Sequence, residues 1–243
     1  MSLVITTYAP EGIILAGDSR LTLNLSHELN GKKTPFSITA SDSNSKIFKI
    51  KEKFGLATFG VADINGIPLF GYINQFIEEK ITDKTNIDEI PKSLHEFFGD
   101  GLGKPACSFY ICGYKFENKI STPHIYFVDI TNSSTNRINI LGGVIQYGAN
   151  WGGETEVMAR LLTNIKIQNG NNWIDVVSAG IPFNFFTLQD AIDFSVYAVR
   201  TTIETFRFQQ RIKTVGGPID ILAIKPDKTE WVQKKELTAN NFR

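Results

Sequence analysis

The first sixty positions contain short apolar or β-branched runs separated by turn signals and one polar stretch, and longer runs with apolar residues three or four apart follow them. The first pattern predicts β-strands and the second predicts amphipathic helices. Ser2 to Ala9 and Ile13 to Ala16 flank the turn signal Pro10-Glu11-Gly12, which predicts a β-hairpin. Residues 23–45 are rich in Asn, Ser, Gly, Lys and Thr and are expected to form a long polar excursion.

A second hairpin is predicted between Lys46 and Gly60, with its turn at residues 51–53. In the first hairpin, facing residues should have numbers that sum to 21 or 22, which places Asp18 within one residue of the chain start. In the second hairpin the sum should be about 106, which places Lys46 opposite Gly60. Each hairpin therefore brings a pair of candidate functional groups to one of its ends.

Apolar spacing predicts the remaining elements. Helices are expected at residues 63–80, 88–98, 153–166 and 188–211, and strands at residues 106–116, 124–130, 137–147, 219–224 and 231–233. Helices grouped between sets of strands indicate two packed sheets covered by helices on both sides. Since the chain has no internal repeat, low-complexity tract or linker, it is interpreted as a single domain over residues 1–243.

Charge and targeting signals narrow the function classes. The 25 basic residues balance 25 acidic ones, so no long-range field attracts nucleic acid or an anionic membrane. No signal peptide and no run of about 20 apolar residues is present, which favours a cytoplasmic protein. The only cysteines, Cys107 and Cys112, would lie on opposite faces of one strand, where they cannot form a disulfide.

The three histidines and the glycine-rich segment suggest no cofactor. His27, His95 and His124 lie in separate elements without the spacing of metal ligands, so no metal is expected. Residues 99–103, Gly-Asp-Gly-Leu-Gly, lack the preceding strand and following helix of a phosphate loop. The aromatic cluster at residues 183–186 is interpreted as core or as a subunit contact. We therefore expect neither a metal nor another cofactor.

Two segments carry a resemblance to a known family. TYAPEGIILAGDSR at residues 7–20 and KIFKIKEKFGLATFGVAD at residues 46–63 resemble the opening of proteasome β subunits and of their simpler bacterial relatives. That family has an aspartate sixteen residues after an N-terminal threonine, and a glycine fourteen residues after a lysine. Counting back from Asp18 gives Ser2, and counting forward from Lys46 gives Gly60. The resemblance is clear over the first eighty residues and weaker beyond them.

The resemblance implies a catalytic group of Ser2, Asp18, Lys46 and Gly60. A hydroxyl is a poor nucleophile until a base removes its proton. Once Met1 is removed, the α-amine of Ser2 would be that base, because its pKa is ordinarily about 7.7–8.0. Lys46 would lower the pKa of the amine, Asp18 would orient Lys46, and the Gly60 N–H would donate to the oxyanion.

Alternatives to these roles stay open. Asp18 could instead cap the turn after a strand, and Lys46 could be a solvated residue at a strand edge. Gly60 could be required only for a positive φ or for close packing. Thr6 and Thr7 are rival nucleophiles, but cutting before either one breaks the spacing to Asp18.

Three departures from the family pattern are visible. The nucleophile is a serine rather than a threonine, and the insert between Asp18 and Lys46 is long. The supporting late polar groups of the family are missing from residues 147–151 and 211–217, or are replaced in part by Asn150 or Thr214.

The resemblance implies an α+β fold, the four-layer αββα sandwich of N-terminal nucleophile (Ntn) hydrolases. It further implies a threonine/serine-type endopeptidase that acts on peptides and assembles as a homo-oligomer, with a ring as one form. Two alternatives remain: an amidase of the same fold that cleaves a small amide, and a catalytically silent proteasome-like subunit. Whether an ATP-driven partner docks on it is left open.

Overall fold

The computed structural model describes residues 2–29 and 31–236, and strands predominate in it. The predicted α+β class agrees with this mixture of strands and helices. The strands are β1 (Leu3–Ala9), β2 (Gly12–Gly17), β3 (Leu21–Leu29), β4 (Lys32–Ser41), β5 (Ile47–Ile50), β6 (Phe54–Gly60), β7 (Asp63–Ile64), β8 (Ile67–Pro68), β9 (Cys107–Glu117), β10 (Ile120–Asp129), β11 (Ser134–Arg137), β12 (Ile140–Leu141), β13 (Val144–Ile145), β14 (Gly148–Gly153), β15 (Ile165–Asn169), β16 (Asn172–Val176), β17 (Asp220–Ile224) and β18 (Thr229–Gln233). The helices are α1 (Leu69–Lys80), α2 (Ile90–Leu94), α3 (Glu156–Leu162) and α4 (Leu188–Phe208), with a π-helical segment at His95–Asp100 and a 3₁₀ turn at Phe183–Phe185.

Two five-stranded antiparallel sheets form the framework. The first has the strand order β14-β1-β2-β17-β18, and the second has the order β11-β10-β9-β6-β5. Four two-stranded ribbons, β3–β4, β7–β8, β12–β13 and β15–β16, pair only within themselves. Within the described ranges, no helix is long and apolar enough to cross a membrane.

Three clusters of buried side chains hold the sheets and helices together. One joins inward-facing residues of both sheets, such as Val4 and Leu15 of the first and Ala57 and Tyr110 of the second. A second packs the first sheet against α3 and α4, and a third packs the second sheet against α1 and α2. Since both faces of β1 and β2 are buried, their sequences are almost continuously apolar.

The strands predicted over residues 106–116 and 219–224 and the longest predicted helix are confirmed. β9, β17 and α4 occupy nearly the predicted ranges, and α4 begins with a capping box between Thr187 and Asp190. Cys107 and Cys112 are free, buried and in different clusters, on opposite faces of β9 as predicted.

The polar excursion predicted over residues 23–45 is largely the β3–β4 ribbon, which is mostly exposed, and its two strands were not predicted. Leu23 pairs with Ile38 and Leu25 pairs with Phe36, so one face of this ribbon is apolar. The alternation of apolar residues was present in the sequence, but the intervening Asn, Ser and Lys residues obscured it.

Three other predicted boundaries need correction. The helix expected from Asp63 starts only at Leu69, because positive φ angles at Asn65 and Gly66 turn the chain into the β7–β8 ribbon. The helix expected over residues 153–166 is the shorter α3, followed by the β15–β16 ribbon. The strand expected over residues 137–147 is interrupted by a turn of positive φ at residues 142–143.

Candidate functional site

The first hairpin brings Asp18 to the start of β1. Val4 pairs with Gly17, which gives the predicted sum of 21. The backbone N–H of Asp18 donates to the carbonyl of Leu3 at 3.2 Å, and the N–H of Leu3 donates to Asp18 Oδ1 at 2.8 Å. The side chain of Asp18 therefore lies beside the peptide unit that joins Ser2 to Leu3.

The second hairpin differs from its predicted register by two residues. Ile47 pairs with Ala57, and the N–H of Thr58 donates to the carbonyl of Lys46 at 2.9 Å. The prediction that Lys46 faces Gly60 was therefore wrong. The turn is centred on Glu52 rather than Lys53, since Lys51 has a φ of 52° and Ile50 already pairs with Phe54.

Asp18 is the centre of a buried hydrogen-bond network. The residue is 1% exposed, and its Oδ1 accepts from Lys46 Nζ at 2.5 Å as well as from the N–H of Leu3. Its Oδ2 accepts from the N–H groups of Arg20 at 3.1 Å and Gly216 at 3.0 Å. These four donors use the full accepting capacity of an ionised carboxylate, so they fix its orientation.

Lys46 is buried, with 3% of its side chain exposed. Burial lowers the pKa of Lys46 below its ordinary value, and the charge and hydrogen bond of Asp18 oppose this effect. The charges of Lys235 and Arg20 lower the pKa of Lys46 further. A buried lysine paired in this way is a compact positive charge at a fixed position.

Ser2, Lys46 and Gly60 line one cleft, to which Arg20 and Thr22 also contribute. Asp18 lies behind Lys46 and does not line it. The hydroxyl of Thr22 is buried in the wall of this cleft and has no hydrogen-bond partner among the described residues. Met1, whose removal the sequence led us to expect, lies outside the described residues.

Gly60 ends β6 with a φ of 117°, and β6 there lies very close to β9. A Cβ atom at this position would be 2.3 Å from the carbonyl oxygen of Ala106. The shape of this part of the cleft therefore depends on a residue without a side chain.

We expect Gly60→Ala to destabilise the protein by more than the ~1–3 kcal/mol of a backbone-strained residue, since a clash with the Ala106 carbonyl adds to the strain. Gly66→Ala is the matched control, because Gly66 also has a positive φ of 79° but an added Cβ would meet no atom within 4 Å. Urea denaturation of both variants measures the difference. Equal losses of stability would contradict the close packing of β6 against β9.

A turn that the sequence prediction missed holds Ser2. The N–H of Glu154 donates to the Ser2 carbonyl at 2.7 Å, and Gly153 precedes it with a φ of 91°. The two residues suggested by the sequence as replacements for the missing polar groups, Asn150 and Thr214, lie in different surroundings. Asn150 lies within β14 and accepts from the hydroxyl of Tyr8 at 2.7 Å, whereas Thr214 donates to Glu154 Oε1 at 2.8 Å.

Gly216 packs against the DSR segment at residues 18–20. A Cβ on Gly216 would be 2.6 Å from the guanidinium carbon of Arg20, and the Arg20 guanidinium binds both carboxylate oxygens of Asp42 at 2.6 and 2.8 Å. The pKa of Asp42 is lowered by this hydrogen-bonded pair. Arg20 thereby ties the base of the β3–β4 ribbon to the loop before β17.

A second buried ion pair, Asp220 with Lys235, lies near the first. Asp220 pairs with Gly17 across the sheet, and its Oδ1 accepts from the N–H of Lys235 at 2.8 Å while its Oδ2 binds the Lys235 ammonium. No sequence pattern pointed to this pair, because the two residues belong to different segments of the chain.

The rival nucleophiles Thr6 and Thr7 are both fully buried in β1. The hydroxyl of Thr7 is within 2.8 Å of Ser195 Oγ, and that of Thr6 is within 3.5 Å of Cys112 Sγ. Neither hydroxyl lines the cleft at Ser2. Their prediction as strand residues is confirmed.

No protein-family model and no curated protein matches the sequence.

Proposed function

We propose that this protein is an N-terminal nucleophile hydrolase of the proteasome β-subunit type, which cleaves peptide bonds with the hydroxyl of Ser2. The observation that carries the proposal is the Asp18–Lys46 pair, buried behind the cleft that Ser2 and Gly60 also line. Asp18 accepts hydrogen bonds from both Lys46 and the N–H of Leu3, so the same carboxylate holds the Lys46 ammonium and the start of β1 in place.

The proposed reaction begins after Met1 has been removed. The free α-amine of Ser2 takes the proton of the Ser2 hydroxyl, and the oxygen attacks the carbonyl carbon of the scissile amide. The oxyanion accepts from the Gly60 N–H, a contact ordinarily worth about 3 kcal/mol of barrier. The protonated amine then gives its proton to the leaving nitrogen, which leaves an ester on Ser2. A water molecule, deprotonated by the same amine, hydrolyses this ester.

Lys46 serves this reaction through its charge. A nearby ammonium disfavours protonation of the α-amine and stabilises negative charge that develops on the Ser2 oxygen. Asp18 keeps that ammonium in position, and burial limits solvent screening of its field.

The proposal includes the four-layer αββα arrangement and a homo-oligomer. The layers are supported by the three apolar clusters, one between the sheets and one between each sheet and its helices. Assembly is supported by exposed apolar side chains on the β3–β4 and β15–β16 ribbons, including Leu29 and Trp173, each 65% exposed. Sedimentation velocity tests the assembly: a monomer at micromolar concentration would contradict it.

A small amide is the second candidate substrate. The cleft encloses only about 20 Å³ in the single chain, roughly the volume available to one water. A small acyl group needs less room than an extended peptide. The discriminating assay compares hydrolysis of a fluorogenic peptide library with that of a panel of simple N-acyl amides.

An N-terminal extension that cannot be cleaved should silence the enzyme, because it converts the α-amine into an amide that is no base. We expect a loss of about 10²–10⁴-fold, the usual contribution of a general base. The measurement is the hydrolysis rate of the same substrate by the extended chain and by the chain with a free Ser2. A C-terminal extension of equal length is the control. Full activity of the N-terminally extended protein would contradict the mechanism.

A further inference from the structure

Glu154 carries a buried carboxylate that the proposed reaction does not use. The residue is 7% exposed. Its Oε1 accepts from the hydroxyl of Thr214 at 2.8 Å, and its Oε2 accepts from Arg211 at 3.2 Å. The Arg211 guanidinium in turn lies 3.9 Å from the centre of the Phe206 ring at the end of α4. The side chain of Glu154 is therefore fixed by two donors from one segment of the chain.

The backbone of Glu154 holds the nucleophile residue. Its N–H donates to the Ser2 carbonyl at 2.7 Å, while the N–H on the other side of the same peptide unit, that of Leu3, donates to Asp18. Gly153 allows this close approach, since a Cβ at that position would be 1.8 Å from the carbonyl oxygen of Ser2. Both polar groups of the Ser2–Leu3 peptide are thus held, so the α-carbon of Ser2 has little freedom to move.

The segment that binds the Glu154 side chain also holds Asp18. Thr214 is two residues before Gly216, whose N–H donates to Asp18 Oδ2 and whose carbonyl accepts from the N–H of Ser19. The carboxylate of Glu154 therefore connects the turn on one side of the Ser2–Leu3 peptide with the loop that supports Asp18 on the other side.

We propose that Glu154 is a positioning residue: its carboxylate, held by Thr214 and Arg211, sets the turn that fixes the Ser2 carbonyl against the Asp18–Lys46 pair. This inference rests on the proposed function, because the geometry it protects is that of the Ser2 nucleophile. Catalytic groups must be held within about 0.5 Å of their productive positions, and a misplacement of about 1 Å can cost on the order of 100-fold in rate. Glu154 itself contacts neither the Ser2 hydroxyl nor the substrate in this account.

The test measures acylation of Ser2 by a β-lactone in saturation kinetics, which separates the maximal rate from the half-saturating concentration. For Glu154→Ala and Thr214→Val we expect the maximal rate to fall by about 10–100-fold, with the half-saturating concentration within about twofold of wild type. Thr214→Ser retains the hydroxyl and should restore most of the rate. Thr202→Val is the matched control, because Thr202 is a buried threonine whose hydroxyl donates to a helix carbonyl in α4.

The outcomes separate this inference from the proposed function. Slowed acylation in Glu154→Ala and Thr214→Val, with recovery in Thr214→Ser, supports the inference, and unchanged rates in both variants overturn it. An unreactive wild type overturns the proposed function instead. In that case the rate of hydrogen exchange at the Leu3 amide tests whether Glu154 holds the Ser2–Leu3 peptide in position. Exchange that is about tenfold faster in Glu154→Ala than in wild type supports this role, and an unchanged rate overturns it.

Discussion

Replacing Ser2 by alanine is expected to abolish both hydrolysis and acylation while leaving the fold intact. The substitution removes the nucleophile, and the residue contributes to packing through its carbonyl, which accepts from Glu154 and is retained in alanine. We expect a loss of at least about 10⁴-fold in rate, with a melting temperature within about 2 °C of wild type. The measurements are turnover of the best substrate and differential scanning calorimetry.

Two further variants make the Ser2 result specific. Ser2→Thr keeps a hydroxyl on the same carbon and should retain activity. Thr6→Val removes the hydroxyl of a rival nucleophile, which is buried beside Cys112, and should leave the rate unchanged. Turnover that survives in Ser2→Ala but is lost in Thr6→Val would contradict Ser2 as the nucleophile and would identify Thr6 instead.

Replacing Lys46 by methionine is expected to lower both activity and stability. The substitution keeps an unbranched apolar stem but leaves the Asp18 carboxylate buried without its cation, which typically costs about 3–5 kcal/mol. The rate of Ser2 acylation should fall by several orders of magnitude, because the α-amine and the developing oxyanion lose their neighbouring charge. Urea denaturation and β-lactone acylation measure the two effects.

Lys49→Met is the matched control for Lys46→Met. Lys49 lies on β5, three residues after Lys46, but pairs with the exposed Glu52 at 2.6 Å, and such surface pairs contribute about 0–1 kcal/mol. If Lys46→Met fails to fold, the double variant Asp18→Asn/Lys46→Met removes both charges and should recover part of the stability without recovering the rate. A double variant that acylates at the wild-type rate would contradict the role of Lys46.

The sequence predicted the elements whose pattern is set locally. The β1–β2 register follows from one short turn, and it correctly placed Asp18 beside the chain start. The β5–β6 register depends on the backbone conformation of the turn at residues 51–53. With a positive φ at Lys51, the residue opposite Lys46 is Thr58 rather than the predicted Gly60. Gly60 nevertheless reaches the same cleft, because that cleft forms where several strands end.

The supporting residues of the site could not be read from the sequence. Glu154 and Thr214 are 60 residues apart and meet only because the turn after β14 and the loop before β17 both lie against the start of β1. Asp220 and Lys235 likewise meet across β17 and β18. Glu, Thr, Asp and Lys are common on protein surfaces, so residue type alone does not show that these four side chains form buried pairs.

The role of Ser2 as an N-terminal nucleophile is tested by an intact-mass measurement on protein made without an N-terminal tag, before and after treatment with a β-lactone. We expect a mass that lacks Met1 and a single adduct that peptide mapping assigns to Ser2, absent from Ser2→Ala. A chain that retains Met1 and forms no adduct would contradict this role, because a blocked amine cannot act as the base. That result would favour the catalytically silent, proteasome-like subunit instead.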